Sequence, residues 1–311
     1  MKIYHSIEDF PSNIKTVVTI GTFDGVHKGH KAIIDRINEI ARKDNMESVL
    51  LTFHPHPRNV LFPDDQELRL INTIEEKKEA LRNTSLQNLI IHKFTKEFSR
   101  TKSVNFIRDV LVNKLNMKCM VVGFNHHFGK NREGTYDNLL ELSELYEFRL
   151  ERIESQNFND VTISSTKIRN AIKDGDIKKA NSYLCYDFSI SGKIVEGNKI
   201  GSSIGFPTAN IKIYEKCKVL PKDGVYAVKV YLNNNQHYAM LNIGERPTIG
   251  DNISAIEVYI FNFSTDIYGA HIKVEFVKRI REERRFDDLE ALRSQLRIDA
   301  INCKQIFSLL R

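Results

Sequence analysis

Residues 21–30, Gly21-Thr22-Phe23-Asp24-Gly25-Val26-His27-Lys28-Gly29-His30, stand between two segments of different periodicity. Before them runs Val17-Val18-Thr19-Ile20, short, apolar and mostly β-branched, as in a buried strand of a parallel sheet. After them Ile33, Ile34, Ile37, Ile40 and Ala41 recur at helical spacing. The stretch is therefore a strand-to-helix turn, where open α/β sheets bind ligands. Gly21, Gly25 and Gly29 let a ligand approach the backbone closely. His27 and His30 fall on one face of the first helical turn, whose free N–H groups attract phosphate. An HxxH pair at a helix start also occurs as a solvated or structural pair. A zinc site has less support, because the chain has no HExxH and no cysteine pair at ligand spacing.

The same alternation continues outward. Ser48 to Phe53, Leu89 to Ile91, Met120 to Val122 and Arg149 to Ile153 read as strands. Glu75 to Arg82, Val104 to Leu115 and Leu139 to Tyr146 read as helices between them. This pattern predicts a Rossmann-like α/β domain with a parallel sheet. The prolines of His54-Pro55-His56-Pro57 predict an extended loop. In Ile163-Ser164-Ser165-Thr166-Lys167-Ile168-Arg169 the hydroxyls read as a helix N-cap, and such hydroxyls also meet phosphate, with Arg169 as the cation.

Near Leu184 the period changes to two. Phe188 to Val195, Val225 to Tyr231, Tyr238 to Ile243, Ala255 to Phe261 and Ile272 to Val277 predict a small antiparallel β-barrel. Asp287 to Leu310 predicts a terminal helix, continuous or broken, with Leu289, Leu292, Leu296, Ile306 and Leu310 on its apolar face. The expected domains are 1–185 and 186–311. Gly192 to Lys199, GKIVEGNK, approaches a Walker A loop but lacks its GK[ST] ending and lies among strands.

Composition sets wider bounds. A chain of 311 residues with 41% hydrophobic and 28% charged residues is globular and long enough for two domains. The net charge of +6 suits anionic substrates such as nucleotides, and is also compatible with RNA. The basic residues are spread along the chain, as on a solvated surface. Cys119, Cys185, Cys217 and Cys303 are far apart, which predicts reduced thiols and a cytoplasmic protein. MKIYHSIEDFP has no apolar signal core, and no apolar run nears the ~20 residues of a membrane span.

The complete pattern GTFDGVHKGH resembles the GxFDGxHxGH signature of the HxGH nucleotidylyltransferases, in the form found in bacterial bifunctional riboflavin kinase/FAD synthetases. The resemblance covers nearly the whole chain. It implies that Gly21, Phe23, Asp24 and Gly29 bind ATP phosphates, while His27 and His30 stabilise charge at the α-phosphorus. Ser164, Ser165, Thr166 and Arg169 match the family's second phosphate-binding element. Gly123, Asn125, Phe128 and Gly129 match a motif near nucleotide and flavin, and Asn125 and Phe128 are taken as flavin-binding. His126 stands where many members carry an aromatic residue.

In the second half Gly197, Gly201, Gly205, Pro207, Thr208, Ala209 and Asn210 resemble the riboflavin kinase glycine loop and PTAN motif. The glycines free N–H groups for phosphate, and Thr208 and Asn210 offer hard oxygens to Mg²⁺. Glu257 occupies the position of the family's catalytic glutamate, although by alternation it also reads as a solvent-facing strand carboxylate. Arg281, Glu283, Arg285 and Phe286 resemble a segment that closes over flavin, so Arg281 and Phe286 are expected flavin contacts. Ser202 and Tyr259 depart from the family pattern, replacing a frequent basic residue and a frequent His.

The resemblance implies an enzyme that phosphorylates riboflavin to FMN and adenylylates FMN to FAD. ATP, riboflavin and FMN would be substrates, Mg²⁺ the metal, and flavoproteins the FAD acceptors. No nucleic-acid or membrane partner is expected. The rival expectations are a nucleotidylyltransferase of another phosphate ester with a flavin- or RNA-binding barrel, and a basic RNA- or flavin-sensing protein that has lost catalysis.

Overall fold

The computed structural model describes residues 1–64, 68–124, 135–154, 157–158, 161–197, 201, 204–233, 235–245 and 254–309. The chain divides into two compact units, Met1–Ser165 and Thr166–Arg311.

The first unit is built on six parallel strands: β1 (Lys2–Tyr4), β2 (Thr16–Ile20), β3 (Glu47–His54), β4 (Asn88–Lys93), β5 (Met117–Gly123) and β6 (Arg149–Ile153). Their order is β1-β4-β3-β2-β5-β6. Both faces are apolar, as a covered parallel sheet requires. On one face Val18, Val49, Leu51, Met120 and Val122 pack with Ile107 and Leu111. On the other Val17, Leu50, Leu89 and Val121 pack against Ile34 and Ile37 of α1 (Lys28–Lys43). Each large apolar side chain so buried contributes about 1.5–3 kcal/mol. After β2 the chain turns through α1 to β3, whereas β5 lies on the other side of β2. The β2–β5 gap is therefore the topological switch point, and the 21–30 turn opens onto it.

Some local expectations change. Pro57 opens a short helix, α2 (Pro57–Leu61), at the first position, where a missing N–H costs nothing. The helix expected at 104–115 starts as α4 (Ser103–Asn105), after α3 (Ile74–Arg82), and continues as a π-helix over Phe106–Lys114. There the Leu115 N–H donates to Val110 O, five residues back, at 2.9 Å. Helix α5 (Tyr136–Leu145) then leads to β6. A two-stranded hairpin, β7 (Asn157–Phe158) with β8 (Val161–Thr162), precedes α6 (Ser165–Lys173).

In the second unit α7 (Ile177–Leu184) packs on a closed antiparallel barrel. The barrel strands are β9 (Ser189–Val195), β10 (Ala209–Lys212), β11 (Gly224–Leu232), β12 (Asn235–Glu245), β13 (Ser254–Ile260) and β14 (His271–Arg281), in the order β10-β13-β12-β11-β14-β9. Asn181 ties α7 down: its Nδ2 donates to Phe276 O at 2.9 Å, and its Oδ1 accepts from the Phe188 N–H at 2.8 Å. Phe276 packs edge-on against Tyr226, with centroids 5.2 Å apart, in the barrel core. The terminal helix is continuous, α8 (Leu289–Ser308). Leu292, Leu296, Cys303, Ile306 and Phe307 pack against the barrel, while Leu289, at the helix's first position, is 55% exposed. Leu310 lies outside the described residues.

Candidate active sites

The turn after β2 is held by its own side chains. Phe23 and Val26 take positive φ values of 45° and 38°, and Gly25 takes 89°. Such steps persist in non-glycine residues only where the surroundings enforce them. Asp24, buried, accepts from the Ile71 N–H at 2.9 Å and the Asn72 N–H at 3.2 Å. Thr22 O accepts from Lys77 Nζ at 2.6 Å. The Phe23 ring packs on His30 at 4.5 Å, and His30 stacks on His27 at 3.6 Å, 17° from parallel. Gly21 and Gly29 lie against these same rings, of Phe23 and His27 respectively.

His27 caps α1, its Nδ1 accepting from the His30 N–H at 3.4 Å. Because Nδ1 accepts, the proton of the neutral ring sits on Nε2. Burial pushes His27 down to about 4, against a smaller opposing effect of Asp24. Burial also holds His30 well below its ordinary value, helped by His27 and Lys77. His30 Nδ1 is sealed from solvent with no hydrogen-bond partner among the described residues. Both imidazoles are thus held neutral near pH 7.

Ser165 opens α6, but its hydroxyl donates to Asp24 O at 2.8 Å and so braces the turn. Ser164 and Arg169 are half-buried and Thr166 is exposed. Asn125 and Phe128, with His126 and Gly129, lie outside the described residues.

In the second unit Glu257 sits in β13 between two asparagines. It pairs with Asn210 of β10 on one side and Asn242 of β12 on the other. Directly paired residues project from the same face of a sheet, so the three form one polar row. Ile256, Val258 and Ile260, in the opposite phase, are buried. The Thr208 hydroxyl donates to Glu257 Oε2 at 3.5 Å. Glu257 is half-buried, as is Tyr259, whose ring meets Phe206 at 5.1 Å in the layer beneath α8. Glu257 is therefore held in a polar constellation, unlike a freely solvated strand carboxylate.

A Cβ at Gly197 would lie 1.8 Å from Asn210 Nδ2, so any side chain there would displace that amide. Gly201 lies against Phe206 O and Thr208 Oγ1, Gly205 has a left-handed φ of 83°, and Pro207 is exposed. Thr208 and Asn210 stand beside Glu257 and carry hard oxygens, a donor type that fits Mg²⁺. Asn198, Ser202 and Arg246-Pro247-Thr248 lie outside the described residues.

Arg281 forks onto Asp299 of α8, with bonds of 2.8 to 3.0 Å, and its guanidinium lies 5.8 Å from the Phe286 ring. Arg284 covers the same ring at 4.8 Å. Sequence reasoning missed Lys77 and Asp299. Each is a charged residue in an apolar helical stripe, Ile74-Lys77-Leu81 and Leu292-Leu296-Asp299-Cys303, and that interruption is a readable signal.

A parallel-sheet unit with a glycine–histidine turn at its switch point, followed by a barrel with a carboxylate–amide row, is the frame of a two-part transferase, as the comparisons bear out. A family model for FAD synthetase matches residues 9–167, and one for riboflavin kinase matches residues 184–307. The chain is 35% identical over 308 residues to the bifunctional riboflavin kinase/FMN adenylyltransferase of Escherichia coli (strain K12), covering 99% of this chain and 97% of that one. It is 34% identical over 311 residues to the Bacillus subtilis (strain 168) protein of the same name, covering 99% and 97%. The chain belongs to the family of bifunctional riboflavin kinase/FMN adenylyltransferases. It is an enzyme that phosphorylates riboflavin and adenylylates FMN, with ATP, riboflavin and FMN as substrates.

A crystal structure from Streptococcus pneumoniae, described as a macrolide-efflux protein, shares the fold with a TM-score of 0.89 and 30% identity, covering 97% of this chain and 98% of that one. Efflux belongs to that description alone. Among the described residues of this chain no helix is long and apolar enough to cross a membrane.

Proposed function

We propose that the two reactions divide between the two halves, FMN adenylylation in residues 1–185 and riboflavin phosphorylation in residues 186–311. One observation carries this division: each unit holds its own polar constellation, His27–His30 with Asp24 in one and Asn210–Glu257–Asn242 in the other. The ranges matched by the two family models support it.

In the first half the FMN phosphate attacks the α-phosphorus of ATP, and the bond to pyrophosphate breaks. No protein nucleophile is needed. Gly21, Phe23, Asp24 and Gly29 shape the phosphate turn, and the imidazoles donate to the oxygens where charge develops. Ser164, Ser165, Thr166 and Arg169 serve the phosphates, and Asn125 and Phe128 the flavin. In the second half Glu257 accepts the proton of the ribityl 5′-hydroxyl as that oxygen attacks the γ-phosphorus, and ADP leaves. Gly197, Gly201, Gly205 and Pro207 shape the nucleotide loop, and Arg281 and Phe286 border the flavin. Thr208 and Asn210 would hold Mg²⁺, which supplies charge neutralisation on the phosphates. The enzyme works in the cytoplasm, a reading supported by four free cysteines, and its FAD passes to flavoproteins.

Glu257→Gln tests the base. FMN formation should fall by roughly 10²–10⁴-fold with riboflavin affinity little changed, while FAD formation from supplied FMN continues. Wild-type FMN formation would return Glu257 to a structural role.

A further inference from the structure

Lys77 lies in α3 on the same face as Ile74 and Leu81, and only 7% of it is exposed. Lysine is almost never this buried unless something holds its charge. An apolar residue would complete the helical stripe, so core packing gives no reason for an ammonium here. The one hydrogen bond of its ammonium among the described residues is the 2.6 Å donation to Thr22 O. Asp24, two residues along the turn, reaches back to the N–H groups of Ile71 and Asn72 at the entrance to α3. The turn and the helix entrance are thus laced twice, in opposite senses. A side chain of each grips the backbone of the other.

What Lys77 grips is the residue before the left-handed step. Thr22 leads into Phe23, whose φ is 45°. The Phe23 ring packs on His30, and His30 stacks on His27. One continuous line of contacts therefore runs from the ammonium through the Thr22 carbonyl to both imidazoles. The charged and titratable groups set around Lys77 are Asp24 and His30 of the turn region. Asp24 favours its charge and burial opposes it.

We propose that Lys77 is a positioning residue for FMN adenylylation: by fixing the Thr22 carbonyl it holds Phe23 and the stacked histidines in their reactive placement. The proposal rests on the reading that His27 and His30 stabilise the transition state.

The test uses the full chain carrying Lys77→Met or Lys77→Arg, with His27→Ala/His30→Ala as reference. FAD formation from FMN and ATP gives kcat and the KM for ATP, and thermal melting with near-ultraviolet dichroism reports folding. Lys77→Met should lower kcat by roughly 10–100-fold with the KM for ATP within about threefold of wild type, because a positioning residue acts in the transition state. Lys77→Arg, which keeps the charge and a donor, should stay within about tenfold of the wild-type kcat. A folded Lys77→Met enzyme with wild-type kcat overturns the proposal. So does a loss confined to KM, or an equal loss in both variants. If Lys77→Met does not fold, Lys77→Arg decides: an Arg enzyme that is unfolded, or slower than tenfold, overturns it as well. The histidine variant separates the two ideas. If it keeps making FAD, the histidine reading fails; if it is inactive while Lys77→Met is normal, only the role of Lys77 fails.

Discussion

The rings of His27 and His30 lie 3.6 Å apart between centroids and 17° from parallel, against a buried turn. Two stacked imidazoles in this position resist protonation. Burial pushes His27 down to about 4 from its usual 6.5. Below pH 6.5 the unfolded chain binds protons that folded His27 refuses until the pH nears 4, so folding stability rises with pH across that window and is lost as pH falls. Over the window the loss from His27 is on the order of 3 kcal/mol. Calorimetry of the full chain should show one transition falling in temperature from about pH 6.5 to pH 4, and His27→Asn should flatten part of that fall. A transition that does not move would show that the imidazoles titrate normally.

Asp299 is fully buried on α8 and holds Arg281 at the end of β14 in a fork. Removing one partner of a buried pair leaves the other charge stranded, at about 3–5 kcal/mol. Asp299→Ala should cost that much in urea unfolding of the barrel transition and loosen the segment that carries Phe286. Replacing both partners, as Arg281→Met with Asp299→Leu, should recover much of the stability. An Asp299→Ala protein as stable as wild type would show that the fork contributes nothing.

The cysteines should differ sharply in reactivity. Burial pushes Cys119 up to about 11 and Cys303 up to about 12, whereas Cys185 is exposed at the end of α7. Only the thiolate is nucleophilic. Peptide mapping after brief iodoacetamide treatment at neutral pH should find Cys185 modified well before Cys119 or Cys303. Early labelling of Cys303 would mean that α8 opens readily from the barrel.

The strands carrying continuous apolar runs were legible in the sequence, because a covered parallel sheet needs little else. The turn at 21–30 was legible because glycines and histidines there interrupt two clear periods. Strand β1 was not: three residues, none fully buried, carry too little pattern. Strand β10 hid behind its own motif, since Ala209 and Asn210 read as turn residues although Asn210 pairs with Val195 and Glu257. The polar row around Glu257 depends on cross-strand register, which alternation within one strand cannot reveal. Lys77 and Asp299 show the converse case. Each appears in sequence as a charged residue on a helix, and only the fold shows that its partner lies on another element.

The central claim is that one chain runs two reactions on two separate sets of residues. The most direct measurement incubates the His27→Ala/His30→Ala enzyme with riboflavin, ATP and Mg²⁺ and separates the flavins by chromatography over time. The account predicts FMN accumulating at the wild-type rate while FAD formation falls by roughly 10²-fold or more. FAD at the wild-type level, or FMN and FAD falling together in a folded protein, would contradict it.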